Sequence, residues 1–254
     1  MRSLVVPQRF CGPRSSGNGG WTSGALAELV EGCPRDHTDP WPTVEVSLLL
    51  PPPLDVPLGV SAADGVTVLA RDNATRVGEA RILRRDLTTV PPVSAEEARV
   101  AEASYLGLRS HPFPTCFTCG TEREPGDGLR IFPGQVNAEP RRVAATWTPH
   151  PSVSEDYHAY HDDVPRASLP VTWAALDCVG GWASDMAERL AVLGRMTTQV
   201  DALPAIGEEH VVVGELRDAQ GRKTFTSAAM YDASGSLVAR AEHIWIAVDP
   251  AKFN

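Results

Sequence analysis

In the stretch SLPVTWAALDCVGG, Ser168 to Gly181, a single carboxylate interrupts a run of apolar and small residues. Burying an unpaired charge costs several kcal/mol, so Asp177 must be hydrogen-bonded, neutral, or beside a cavity that water reaches. On a helix its neighbours one turn away are Trp173, Ala174, Gly180 and Gly181, apolar or very small, which leaves room for a ligand. A core Asp satisfied by a Ser/Thr or backbone partner is the structural alternative. A second stretch, Asn18-Gly19-Gly20-Trp21, pairs a capping residue with two glycines. Amides at a helix N-terminus, approachable where no Cβ intervenes, suit an oxygen that becomes negative during a reaction. A tight turn ahead of a helix uses the same residues.

Cysteines stand at 11, 33, 116, 119 and 178, an odd number in a chain of 254 residues, and this favours reduced thiols over a disulfide scaffold. Cys116 and Cys119, in CFTC, supply half of a zinc site. Cys11 and His111 could complete it, but neither has a diagnostic spacing; the expectation is a solvent-protected turn, with no metal. His158, His161, Asp162 and Asp163 read as a solvated loop. No nucleophile elbow, phosphate loop or dinucleotide fingerprint is present, and no cofactor is implied.

These residues need elements to position them. PVTWAALDCVGGWASDMAERLAVL, with Pro170 near its start, predicts one long helix. It is followed by strand candidates in LGRMTTQVDAL, EEHVVVGELRDAQ, RKTFTSAAMYDAS and SLVARAEHIWIAVD, an antiparallel meander. GLRIFPGQV and RVAATWTPH are two further strand candidates before the helix. The N-terminal half repeats the order in shorter form: GNGGWTSGALAELVEG as helix, then PTVEVSLLLPPPLDVPLGV, DGVTVLARD and ATRVGEARILR as strands. Residues 91–110 read as a linker with a short helix, between an N-terminal unit at 1–90 and a C-terminal unit at 111–254. A net charge of -9 with no basic run argues against nucleic acid. No apolar run is long enough for a membrane span or a signal core, so the expected location is the cytoplasm.

A helix followed by an antiparallel meander, present twice, resembles the double hotdog, an α+β fold with two antiparallel sheets each wrapping a long central helix. GNGGWTSGALAEL resembles the HGG helix start of the PaaI-like acyl-CoA thioesterases, with Asn18 in place of His. LPVTWAALDCVGGWA resembles their LAD helix, and CFTCGTEREPGDGLRIF resembles a C-x-x-C-G…GL segment of thioesterase-like hotdog proteins. The resemblance implies an acyl-CoA or acyl-carrier thioester as partner, bound between the two units, with Asp177 as base or nucleophile facing Gly19 and Gly20, and Asn18, Trp21, Trp173, Gly180 and Gly181 around the substrate. Hotdog sheets often associate further, so a homodimer of chains is expected; the alternative function is a non-catalytic hotdog that binds acyl chains or acyl-CoA or serves as an assembly partner. The pseudo-symmetric second site looks poorer, since Leu169 and Pro170 occupy its helix start and Glu28 is out of register. Asp156 and His161 in DYHAYH have the spacing of hotdog hydratases without their surrounding residues.

Overall fold

The computed structural model describes residues 2–33, 41–72, 74–137, 141–154, 163–184, 186 and 189–250. The DYHAYH segment lies outside them, as do His158, His161 and Asp162. The first half contains β1 (Arg2–Leu4), α1 (Gly19–Ala27), β2 (Val44–Leu48), β3 (Leu58–Ala63), β4 (Val66–Arg71) and β5 (Thr75–Ile82). After α2 (Ala95–Glu102) come β6 (Gly134–Asn137), β7 (Arg142–Trp147), α3 (Leu169–Ala183), β8 (Ala191–Val200), β9 (His210–Gln220), β10 (Lys223–Tyr231) and β11 (Leu237–Ala247). None of these helices is long and apolar enough to cross a membrane.

The expected pair of sheets is replaced by one. Eleven strands run in the order β1-β3-β4-β5-β2-β8-β11-β10-β9-β7-β6. The join is β2, where Val44 faces Ile82 of β5 on one side and Thr198 of β8 on the other. An unpaired edge strand there would leave backbone donors and acceptors exposed, and pairing across the seam satisfies them. Read outward from the seam, the two halves follow the same succession: β2-β5-β4-β3 on one side and β8-β11-β10-β9 on the other. The first strand after each helix thus lies at the seam, with the last strand of its meander beside it.

Helices α1 and α3 lie against this sheet and against each other. Ser168 caps α3 by accepting from the Val171 N–H, and Pro170 in the first turn has no N–H to leave unpaired. All fifteen residues of α3 are buried, as expected of a helix apolar on every side. In β9, Val212 faces the main core, whereas Val211 and Val213 join Ala98 of α2 in a smaller cluster. The unbroken apolar run VVV therefore marks a strand covered on both faces. The GLRIF part of a predicted strand is a loop instead, because the Leu129 and Ile131 N–H groups donate to the Phe117 and Thr118 carbonyls.

Candidate active site

Asn18 caps the start of α1 with its side-chain oxygen 2.8 Å from the Trp21 N–H, the bond that a capping residue makes. The next amide, that of Gly20, donates across to Asp177 Oδ2 of α3 at 2.8 Å. Two stretches 157 residues apart in sequence are thereby locked together at the start of α1. The contact requires glycine: a Cβ on Gly20 would lie 2.5 Å from Asp177 Cβ and 2.8 Å from the Trp173 carbonyl. Gly24, one turn on, packs the same way against Pro170.

Asp177 is only 2% exposed, and its Oδ1 has no hydrogen-bond partner among the described residues. Burial pushes its carboxyl up to about 7, while the bond from Gly20 and the nearby Asn18 amide pull in the opposite direction. Of the first amides of α1, Gly20 serves Asp177, Trp21 serves the cap and Thr22 reaches the Asn18 carbonyl. The Gly19 N–H has no partner among the described residues, and Gly19 is half-exposed.

A cavity of about 260 Å³ opens beside this junction. Asn18, Gly19 and Asp177 line it, together with Leu48 to Pro52, Leu193 and Trp245. Its wall is mainly apolar, with Asp177 and the start of α1 at one end, which is the pattern of a small-molecule site. Other residues singled out in the sequence sit elsewhere. Trp21 is buried and stacks on Phe10 with ring centroids 4.2 Å apart, and Trp173 is buried against Gly24. Gly180 lets β11 approach α3 at His243, and Gly181 does the same at Trp245. Leu169 and Pro170 are buried in the first turn of α3, and Glu28 is at the far end of α1.

The CFTC loop forms another wall. Cys116, Cys119 and Cys178 line the cavity beside His111. Thr118 Oγ1 donates to the Ala174 carbonyl of α3 at 3.0 Å, and the Asn18 amide lies 3.6 Å from Cys116 Sγ. Hydrogen bonding with the Cys119 and Cys178 side chains holds the Cys116 thiol below the usual range despite burial, with the Cys119 and Thr118 backbone adding to it. Cys178 had no spacing that tied it to CFTC; only the packing of α3 brings it there. Cys11 is directed elsewhere, donating to the Thr115 carbonyl and accepting from Arg123. His111 has one ring nitrogen 3.0 Å from the Cys119 carbonyl and the other accepting from the Phe113 N–H.

No protein-family model and no curated protein matches the chain. Solved structures do. A hot dog-fold protein of unknown function from Alicyclobacillus acidocaldarius superposes with a TM-score of 0.56 at 11% identity, over 98% of this chain and 93% of that one. The chain has the hotdog fold. A tesB protein of Mycobacterium avium subs. paratuberculosis gives 0.57 at 12% identity, over 93% of this chain and 89% of its own. A protein of Thermobifida fusca assigned as a thioesterase II gives 0.57 at 12%, over 97% and 92%. This hotdog chain therefore matches those structures nearly end to end, at identities where only the fold is shared.

Proposed function

We propose that this hotdog chain hydrolyses acyl thioesters of coenzyme A or of an acyl carrier, at the cavity between α1 and α3. The observation that carries the proposal is Asp177, a buried carboxylate with one oxygen held by Gly20 and the other unpartnered, on the wall of an apolar cavity beside the free amide of Gly19. The thioesterase assignment of the Thermobifida fusca neighbour supports the same reaction class. In this reading residues 1–90 and 111–254 are two hotdog units of one chain, and each supplies half of the site.

The acyl chain occupies the apolar cavity, and the thioester carbonyl accepts from the Gly19 N–H at the positive end of α1. Asp177 Oδ1 takes a proton from water as that water attacks the carbonyl carbon. The tetrahedral oxyanion then collapses, the C–S bond breaks, and the leaving thiolate takes from Asp177 the proton that came from water, which gives the free thiol and restores the carboxylate. Gly20 acts differently from Gly19: its amide aims the carboxylate and is not free to hold the oxyanion. Asn18, Trp21, Trp173, Gly180 and Gly181 shape the site by capping and packing.

Thiol release from a panel of acyl-CoAs tests this. Asp177→Asn keeps the volume and removes the anion, so turnover should fall by about 10²–10⁴ while the fold and acyl-CoA binding persist. Unchanged turnover would remove Asp177 from the chemistry. The bond from Gly20 favours a second reading, in which Asp177 is a cap for α1 and the chain binds acyl groups without hydrolysis. That reading predicts tight acyl-CoA binding by the parent protein, no thiol release from any member of the panel, and a loss of stability in Asp177→Asn.

A further inference from the structure

We infer that Cys116, Cys119 and Cys178 form a zinc-binding site on the cavity wall. Their sulfurs all lie within 4.8 Å of one another, and each side chain is buried. The Cys116 and Cys178 sulfurs are 3.7 Å apart. Two sulfurs at about 2.3 Å from one ion, at the tetrahedral angle, are about 3.8 Å apart, so this pair already has the separation that zinc requires. A disulfide needs about 2.05 Å between the sulfurs, far shorter than the observed distance.

The loop is folded as a metal knuckle. Cys116 and Cys119 have the C-x-x-C spacing, and the Gly120 N–H closes the turn on the Cys116 carbonyl at 2.9 Å. A Cβ on Gly120 would lie 2.5 Å from that carbonyl, so the tight turn accepts only glycine. The side-chain amide of Asn18, 3.6 Å away, donates to the Cys116 sulfur. Such a donor stabilises a thiolate, which is the form that binds metal. Three thiolates select a soft ion, and zinc is the divalent ion that takes them in tetrahedral geometry. Binding replaces the remaining S–H bonds by Zn–S bonds and releases those protons to solvent.

Three protein ligands leave one coordination position. His111 does not fill it, since both of its nitrogens already have partners. All three cysteines line the cavity, so the fourth position faces that space, where water or a thiol completes the tetrahedron. The ion would staple the CFTC loop to α3, reinforcing the bond from Thr118 to Ala174. The site does not depend on hydrolysis: a binding protein with the same loop would hold the same ion.

Metal analysis of the purified full chain, followed by cobalt substitution, tests the assignment. About one zinc per chain is expected, and Co²⁺ added to the zinc-stripped protein should give thiolate-to-cobalt absorption in the near ultraviolet with intense tetrahedral bands in the visible. Cys178→Ser should reduce zinc retention by at least about 10-fold, whereas Cys11→Ser should retain it in full. The cobalt titration uses the parent chain and so decides the matter even where Cys178→Ser fails to fold. Absence of thiolate-to-cobalt absorption, full zinc in folded Cys178→Ser, a different metal on these thiols, or a Cys116–Cys178 disulfide would each overturn the proposal.

Discussion

At the scale of single residues, two buried polar groups have unusual surroundings. Asp177 meets the amide of Gly20 and lines a cavity. His243 of β11 is only 2% exposed, with Thr226 Oγ1 3.2 Å from Nδ1 and no partner for Nε2 among the described residues. Burial pushes its imidazole down from 6.5 to about 4, with Glu242 beside it pulling weakly upward. The facing turn of α3 carries Asp177 and Cys178 between Leu176 and Gly180, the two residues that meet the ring. The unfolded chain binds a proton on this histidine as the pH falls through 6.5, and the folded chain does so only near 4. The contribution is therefore present in full above pH 6.5 and lost as the pH drops toward 4, a change of about 3 kcal/mol. Urea unfolding from pH 7 to pH 4 should show that loss, and His243→Gln should flatten it. The difference between the two proteins separates the imidazole from carboxylates that titrate in the same range. Equal pH dependence would mean that His243 is already protonated, or solvated, in the folded state.

At the scale of elements, the crossing of α1 and α3 decides whether a site exists. The helices meet through Gly20 and Gly24, and a Cβ on Gly24 would lie 2.6 Å from Pro170 Cα and 2.9 Å from Trp173 Cβ. Backbone cannot yield as a side chain can, so Gly24→Ala should push the helices apart and cost about 1–3 kcal/mol, read as a lower urea midpoint. Gly20→Ala should cost a similar amount and also displace Asp177, so lost turnover in that variant would report packing and not an oxyanion donor. Gly19 is different: its Cβ would meet only Leu193, 2.9 Å from both Cδ2, which can rotate into the cavity, and Cβ, which requires a small shift of β8. Gly19→Ala should stay folded with a narrower cavity, and its acyl-CoA preference should shift toward shorter chains. An unchanged preference would place the acyl chain elsewhere.

At the scale of the whole molecule, one apolar core joins Leu26, Val46 and Leu69 of the first half with Leu176, Met196 and Trp245 of the second. The sheet is continuous across β2 and β8. The segment between the halves is also tied down: α2 begins with a capping box at Ser94 and Glu97, and Glu102 accepts from the Thr146 N–H of β7 at 2.7 Å. The main core is shared between the halves, and only the smaller cluster under α2 lies within the second half and the segment before it. Thermal unfolding should therefore be one cooperative transition, with calorimetric and van't Hoff enthalpies equal and with tryptophan fluorescence and far-ultraviolet circular dichroism coincident. Two resolved transitions would show that the seam is weaker than the halves it joins.

Several features are determined by the sequence alone. Periodicity and turn residues mark α1, α3 and the strands of both meanders, because local patterning reports which face of an element is buried. The repeated order of helix and meander foretells the matching succession of strands in the two halves. The placement of Asp177 in an apolar helix signals a carboxylate with a special environment. Tertiary structure decides the remainder. Only packing shows that β2 and β8 join the halves into one sheet, since strand edges pair through backbone groups that carry no side-chain code. Only packing gives the Gly20 amide to Asp177 and leaves Gly19 free, and only packing brings Cys178 to the CFTC loop. Residues 62 positions apart become neighbours because α3 lies under that loop, a distance in space that no spacing in sequence encodes.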